Sequence, residues 1–231
     1  MLKRPIKAII WDLDGTLIHF KIDFIKARKE AIKIFIKYGV PENLLSTELK
    51  ALDNVQIAKD FFKSKEFSKV KLKEIMEEAN SAIAKIEYKA ALKATMVKGI
   101  NKVLEFVKVN HLKQAIFTYN TKENAEMSLK KVNLLHYFEM IAGRDNIDNP
   151  KPHPDHLNLI CKNLSVNPLE ILVIGDMERD IEAALNIGAH SILIYTKLST
   201  YFESNMYKKA DFIIKPKGIP FRLIEAIKNF I

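Results

Sequence analysis

Acidic residues recur in this chain at spacings that let a few carboxylates share one ligand. Asp12 and Asp14 flank Leu13 and lead into Gly15 and Thr16. Asp176 follows Gly175, and Asp180 comes four residues later. Residues two apart on extended backbone turn to the same side, and residues four apart align on a helix that begins near Met177. Brought into one pocket, Asp12, Asp14, Asp176 and Asp180 cannot all stay ionised without a cation, because their mutual repulsion raises their pKa values. A hard divalent cation with oxygen ligands resolves the conflict, and Mg²⁺ suits a site where phosphate is a co-ligand. Lys151 would bring a second positive charge; the Thr118 hydroxyl and loop N–H groups would bring neutral donors. Such a set fits a dianionic phosphoryl group, whose transfer depends on positioning and charge neutralisation. Singly, each piece has a plainer meaning. Asp-x-Asp is often a turn or a helix cap, and Lys151 in Lys-Pro-His-Pro can be an exposed loop lysine. The chemical meaning rests on their joint order, each beyond an expected strand.

Those strands follow from the hydrophobic pattern. Ile6–Trp11 is a short apolar run of the kind buried on both faces of a parallel sheet. It is followed, after Gly99, by alternating strand and helix segments. Strands are expected at Gln114–Thr118, Phe138–Ala142, Ile171–Ile174, Ser191–Tyr195 and Asp211–Ile214. Helices are expected at Ile100–Asn110, Lys122–Val132, His156–Asn163, Glu178–Ile187 and Phe221–Phe230. Such alternation implies right-handed βαβ crossovers and an α/β, Rossmann-like, doubly wound parallel sheet with helices on both faces. Ligands of such sheets bind beyond the carboxyl ends of the strands. Between the first strand and the rest the texture is helical. A helix from Ile22 should stop near Gly39-Val40-Pro41, shorter helices span Glu42–Leu52 and Val55–Phe62, and a long one starts at Lys69. No strand is expected between Ile22 and Met96. The expected organisation is a catalytic core of residues 1–17 and 97–231 with an all-helical cap, residues 18–96, inserted in it.

At these residues the chain resembles the haloacid dehalogenase superfamily of phosphotransferases. Asp12-Leu13-Asp14-Gly15-Thr16 is similar to its first motif, Thr118 to its second, Lys151 to its third, and Gly175-Asp176 through Asp180 to its fourth. The helical insertion stands where members with a small helical cap carry it, such as those similar to phosphoglycolate phosphatase and β-phosphoglucomutase. The resemblance implies that Asp12 is the nucleophile and forms an aspartyl-phosphate. It implies that Asp14 protonates the leaving alcohol and then activates water. Thr118 would hold phosphoryl oxygens, with Gly15, Thr16, Tyr119 and Asn120 in the same substrate-binding set, and Lys151 would bridge nucleophile and phosphate. Mg²⁺ would lie between Asp12, the backbone carbonyl of Asp14 and Asp176, with Asp180 completing or orienting its water shell. An acid at Asp14 favours phosphoryl transfer over dehalogenation, since displacing halide needs no proton. Three positions depart from the family pattern. Tyr119 intervenes before Asn120, Met177 stands where a small hydroxyl residue is common, and His19-Phe20 replaces a frequent Asp-Ser pair. His19, near the expected hinge into the cap, is placed in the substrate-binding set, although a partly buried structural histidine is the preferred reading of the residue itself.

Composition bounds the partners. The 231 residues carry 37 Lys+Arg against 28 Asp+Glu, a formal +9, in otherwise ordinary globular proportions (48% hydrophobic). The basic residues are nearly all lysine. Only Arg4, Arg28, Arg144, Arg179 and Arg222 are arginine, and no basic block or aromatic-interleaved ladder appears. Nucleic-acid recognition leans on bidentate arginine, so the charge is assigned to solvated lysines and no nucleic-acid partner is expected. The excess over residues 18–95 offers a field that steers anions. No run approaches a membrane span, the N-terminus reads as a strand rather than a signal peptide, and the single Cys161 fits a reducing, cytoplasmic setting. His153, His156 and Cys161 lack zinc-ligand spacing. The function expected is a Mg²⁺-dependent phosphomonoester hydrolase for a small phosphorylated metabolite, phosphoglycolate-phosphatase-like, monomeric or homodimeric. The alternatives are a phosphomutase of the β-phosphoglucomutase type and a non-catalytic basic scaffold protein.

Overall fold

The computed structural model describes residues 5–49, 51–196, 199 and 205–231. Arg4 and Lys50 lie outside the described residues, as do the first four residues of the expected core. The chain forms two compact units: Met1–Phe20 with Ala91–Ile231, and Lys21–Ala90.

The first unit is a six-stranded, wholly parallel sheet. Its strands are β1 (Ala8–Trp11), β4 (Lys113–Phe117), β5 (Met140–Ala142), β6 (Ile171–Gly175), β7 (His190–Ile194) and β8 (Phe212–Ile214), in spatial order β5-β4-β1-β6-β7-β8. All four residues of β1 and all five of β6 are buried. Burial on both faces is why these strands read as continuous apolar runs rather than alternating ones. Successive side chains nevertheless part to opposite layers. Ile9 and Trp11 join a cluster with α4 (Ile100–Val109), α5 (Lys122–Lys131) and α8 (Phe221–Lys228). Ala8 and Ile10 join a second with α6 (Pro154–Leu164) and α7 (Glu178–Asn186). Inside the first layer the Trp11 indole N–H donates to Gln114 Oε1 at 3.1 Å, and Gln114 Nε2 donates to the Leu104 carbonyl at 3.2 Å. A buried polar pair is thereby satisfied.

Parallel register aligns the strand ends: Trp11 pairs with Ile116 on one side and Ile174 on the other, and Phe117 pairs with Ala142. The residues just beyond, Asp12, Thr118 and Asp176, therefore leave one edge of the sheet. That edge is at β1, where the strand order reverses.

The second unit is helical: α1 (Phe24–Lys37), α2 (Ala51–Ser64) and α3 (Lys69–Ala91, which runs one residue past the unit's end) around Ala31, Phe35, Leu45, Ala58, Phe62, Ile75 and Ala79. Asp23 caps α1 by accepting from Lys26 N. Two expectations are corrected. No continuous helix runs from Glu42 to Leu52. A single 3₁₀ turn, Glu42–Leu44, gives way to extended backbone at Leu45, and α2 begins only at Ala51. The Asn54 side chain bonds both backbone groups of Ser46, at 3.0 and 2.8 Å, so side-chain bonds replace helical ones there. Strands also occur where none was expected: β2 (Ile18–His19) pairs antiparallel with β3 (Thr95–Met96), a ribbon of the first unit too short to show a sequence period. Among the described residues, no helix is long and apolar enough to cross a membrane.

Candidate functional site

The side chain that gathers the strand ends is Lys151, in the connection from β5 to α6. It is 2% exposed. Its Nζ donates to Asp12 Oδ1 at 2.5 Å and to the Phe117 carbonyl at 3.1 Å, and lies 2.8 Å from Asp180 Oδ1. It also sits 4.1 Å from the centroid of the Phe117 ring, whose face attracts a cation. The amine thus touches what leaves β1, the last residue of β4 and the first turn of α7, across 139, 34 and 29 residues of sequence.

Asp12 is held by its own N–H, which donates to the Ile174 carbonyl at 2.8 Å. Asp180 is placed by helix capping: it is the third residue of α7, and its Oδ2 accepts from Met177 N at 2.9 Å. Sequence spacing suggested alignment with Asp176 along one helix. Asp176 instead precedes the helix, and Asp180 reaches back to the helix start. Two glycines make room. A Cβ on Gly175 would overlap the Asp180 carboxylate; one on Gly15, whose φ is +94°, would overlap that of Asp176.

Asp12, Asp176 and Asp180 each offer an oxygen within 4.8 Å of the others, and all three are buried. Burial pushes the Asp12 carboxyl up to about 6, against the opposing pull of Lys151. Burial, then repulsion from Asp12 and Asp180, pushes Asp176 up to about 8. Burial disfavours the charged Lys151 amine, but Asp12 and Asp180 outweigh it and raise its pKa. One ammonium against three buried carboxylates leaves negative charge that needs protons or a cation. The donor set fits a cation: Asp12 Oδ2 and Asp176 Oδ1 are buried with no hydrogen-bond partner among the described residues. Hard oxygens of this kind suit Mg²⁺-like ions.

Asp14 stands apart from that triad. Its Oδ2 faces the Thr118 hydroxyl at 3.5 Å, at the long limit of a hydrogen bond. Thr118 is fully buried, and its Oγ1 accepts from Asn120 N at 3.0 Å. Among the described residues Asn120 Nδ2 and Thr16 Oγ1 are buried without partners, leaving hydrogen-bonding capacity next to the carboxylates' strand ends. Tyr119 is half-buried; its carbonyl accepts from Arg144 Nη1 at 2.7 Å, and its ring lies 4.9 Å under the Arg179 guanidinium. His19 is exposed on β2, not partly buried: the alternation of the ribbon turns Ile18 inward and His19 outward.

Several contributors were not singled out by sequence. Arg179 draws down the Asp12 and Asp176 carboxyls through its charge. Its place one residue before Asp180 was the available signal. Phe117 contributes both ring and carbonyl to Lys151. Gly143 lies so close to Lys122 N and the Asp145 carboxylate that a Cβ would overlap both.

The profile of the haloacid dehalogenase-like hydrolases matches residues 9–194, which include every one of these groups. A phosphoglycolate phosphatase of Aquifex aeolicus is 28% identical over 201 residues, covering 84% of this chain and 88% of that one. An N-acetylmuramic acid 6-phosphate phosphatase of Pseudomonas putida is 24% identical over 192 residues, covering 82% of each. Among solved structures, a β-phosphoglucomutase of Clostridium difficile shares the fold with a TM-score of 0.65 at 23% identity, covering 97% of both chains. With the match spanning most of the chain and its parallel sheet, the protein belongs to the haloacid dehalogenase-like hydrolase family.

Proposed function

We propose that the protein is a Mg²⁺-dependent phosphomonoesterase that removes phosphate from a small phosphorylated metabolite through an aspartyl-phosphate at Asp12. The observation that carries this is the buried meeting of Lys151 with Asp12 and Asp180 beside Asp176, with carboxylate oxygens of Asp12 and Asp176 unpartnered among the described residues. Asp12, Asp176 and the backbone carbonyl of Asp14 would hold the cation, with Asp180 orienting its waters. The bound ion would offset the negative charge of the phosphoryl oxygens and keep the carboxylates ionised.

The chain's own residues supply the rest. A carboxylate oxygen of Asp12 attacks phosphorus as the ester P–O bond breaks, and Asp14 gives its proton to the departing alkoxide. Asp14, now ionised, takes a proton from water. The water oxygen attacks phosphorus, the P–O bond to Asp12 breaks, and phosphate leaves with Asp12 restored. Lys151 steadies the nucleophile and the developing charge. Thr118 and the partnerless Asn120 Nδ2 and Thr16 Oγ1 are the neutral groups proposed to bind phosphoryl oxygens. Residues 1–17 and 97–231 form the catalytic core in this scheme, and the helical segment within residues 18–96 acts as a cap that excludes water and sets specificity.

The test is hydrolysis of p-nitrophenyl phosphate with Mg²⁺ and with chelator, for the wild type and Asp12→Asn. Turnover lost on chelation and in the variant supports the proposal; full activity in either overturns it. A phosphomutase would use the same residues, and the curated relatives named above are phosphatases. The two functions separate on discharge of the labelled enzyme: by water for the phosphatase, only by a sugar phosphate for the mutase.

A further inference from the structure

The β5–α6 connection carries a second buried group that the proposed chemistry does not use. His156, in the first turn of α6, is completely buried, and both of its ring nitrogens are engaged. The backbone N–H of Lys151 lies 3.2 Å from His156 Nδ1, and His156 Nε2 lies 3.0 Å from the Ala142 carbonyl. A backbone N–H can only donate, so Nδ1 must be the acceptor; a carbonyl can only accept, so Nε2 must carry the proton. The two contacts together fix one neutral tautomer. The same Ala142 carbonyl accepts from Thr118 N at 3.0 Å. The ring packs edge-on to Phe117 at 5.8 Å between centroids, and Lys151 Nζ lies over the same Phe117 ring, 4.1 Å from its centroid. One imidazole therefore ties the end of β5, the residue after β4 and the backbone of the lysine into a single buried unit.

We propose that His156 is a positioning residue for Lys151: as a neutral imidazole accepting the lysine's backbone N–H and anchored to β5, it fixes where the Lys151 amine meets Asp12. The inference rests on the role of Lys151 proposed above. The groups facing the ring are the Lys151 backbone, the Ala142 carbonyl and the Phe117 ring. Lys151 and Asp180 are the charges that act on it. Burial, reinforced by the Lys151 charge, lowers the His156 pKa to about 4, which keeps the accepting lone pair on Nδ1 over the neutral range. Protonation would set an N–H of the ring against the N–H of Lys151, two donors facing each other.

The test uses the full chain, saturating Mg²⁺ and p-nitrophenyl phosphate, with single-turnover rates for weak variants and a thermal melt to establish folding. His156→Phe keeps the aromatic volume and removes both bonds. His156→Asn offers an acceptor at the place of Nδ1; His156→Gln offers a donor at the place of Nε2 but leaves the Lys151 N–H unanswered. Loss of a buried orienting partner, or a misplacement of about 1 Å, lowers rate by about 10- to 100-fold. The expected result is a fall of that size in kcat for His156→Phe with KM little changed, and a smaller fall for His156→Asn than for His156→Gln. In a Lys151→Met background, His156→Phe should have almost no further effect, because the ring acts through the lysine. A native kcat in His156→Phe, the same factor retained in the Lys151→Met background, or His156→Gln outperforming His156→Asn overturns the inference. The foundation is tested separately: Lys151→Met at wild-type rate would refute the role of Lys151 itself and take this inference with it. If His156→Phe does not fold, the order of His156→Asn and His156→Gln decides.

Discussion

Removing divalent cations should invert the usual pH dependence of stability in this protein. Acidic groups commonly have depressed pKa values in the folded state and stabilise it as pH rises. Here the buried carboxyls are raised. Burial pushes the folded Asp176 carboxyl up to about 8, from an ordinary 3.8. A carboxyl raised in this way binds its proton more tightly folded than unfolded. Its stabilisation is fully present below the unfolded pKa and is lost as pH climbs through the folded one. Asp12, raised to about 6, adds to the loss in the lower part of that range, where His156, lowered to about 4, opposes it because the unfolded imidazole takes up a proton. Between pH 6.5 and 8 Asp176 acts almost alone. The slope is about 1.4 kcal/mol per pH unit at the lower end and halves by pH 8, averaging about 1 kcal/mol per unit, and about 1 kcal/mol moves Tm by 2–4 °C in a chain of this size. Calorimetry of the chelated protein should therefore show Tm falling by about 2–4 °C per pH unit over that window. Cations bind the ionised carboxylates and displace the proton, so the gain in Tm from Mg²⁺ should grow from pH 6.5 to 8. Asp176→Asn should abolish both the slope and most of the Mg²⁺ response. A flat or rising Tm in chelator, or an equal Mg²⁺ gain at the two pH values, would refute the reasoning.

Lys151→Met strips the amine from two buried carboxylates. Breaking a buried pair by removing one partner costs about 3–5 kcal/mol, and chelated-protein denaturation at pH 7.5 should show a loss of that order, partly restored by Mg²⁺. Gly15→Ala forces a side chain into both a left-handed φ and the Asp176 carboxylate, so isothermal titration should show Mg²⁺ affinity falling at least about tenfold; unchanged affinity would contradict the tight approach. Asp14→Asn should slow hydrolysis of an alkyl phosphate far more than that of p-nitrophenyl phosphate, whose leaving group departs without a proton, when first-step rates are compared by rapid quench. Equal losses would remove Asp14 from the proton transfer.

The parallel sheet was legible because strands buried on both faces, such as Ile171–Gly175, leave unbroken apolar runs, and polar residues at their ends stand out against them. Asp12, Thr118, Lys151, Asp176 and Asp180 could be named for that reason. What stayed hidden depends on contacts no local pattern records. After the turn at Glu42–Leu44, an Asn54 side chain takes up both backbone groups of Ser46 in place of helical bonds. The ribbon of Ile18–His19 with Thr95–Met96 has too few residues to show alternation. His156 looked like a histidine without metal-ligand spacing; only the fold brings Lys151 N–H and the Ala142 carbonyl to opposite sides of its ring. The place of Asp180 likewise follows from its bond to Met177 N and its ion pair with Lys151, not from helical alignment with Asp176.

The central claim is that phosphorus becomes bonded to one aspartate. Quenching the Mg²⁺ enzyme during turnover and reducing it with labelled borohydride converts an acyl phosphate into homoserine, which peptide mapping locates. Homoserine at position 12, absent in Asp12→Asn and without substrate, is the predicted result. Label at any other residue, or none despite rapid turnover, would contradict it.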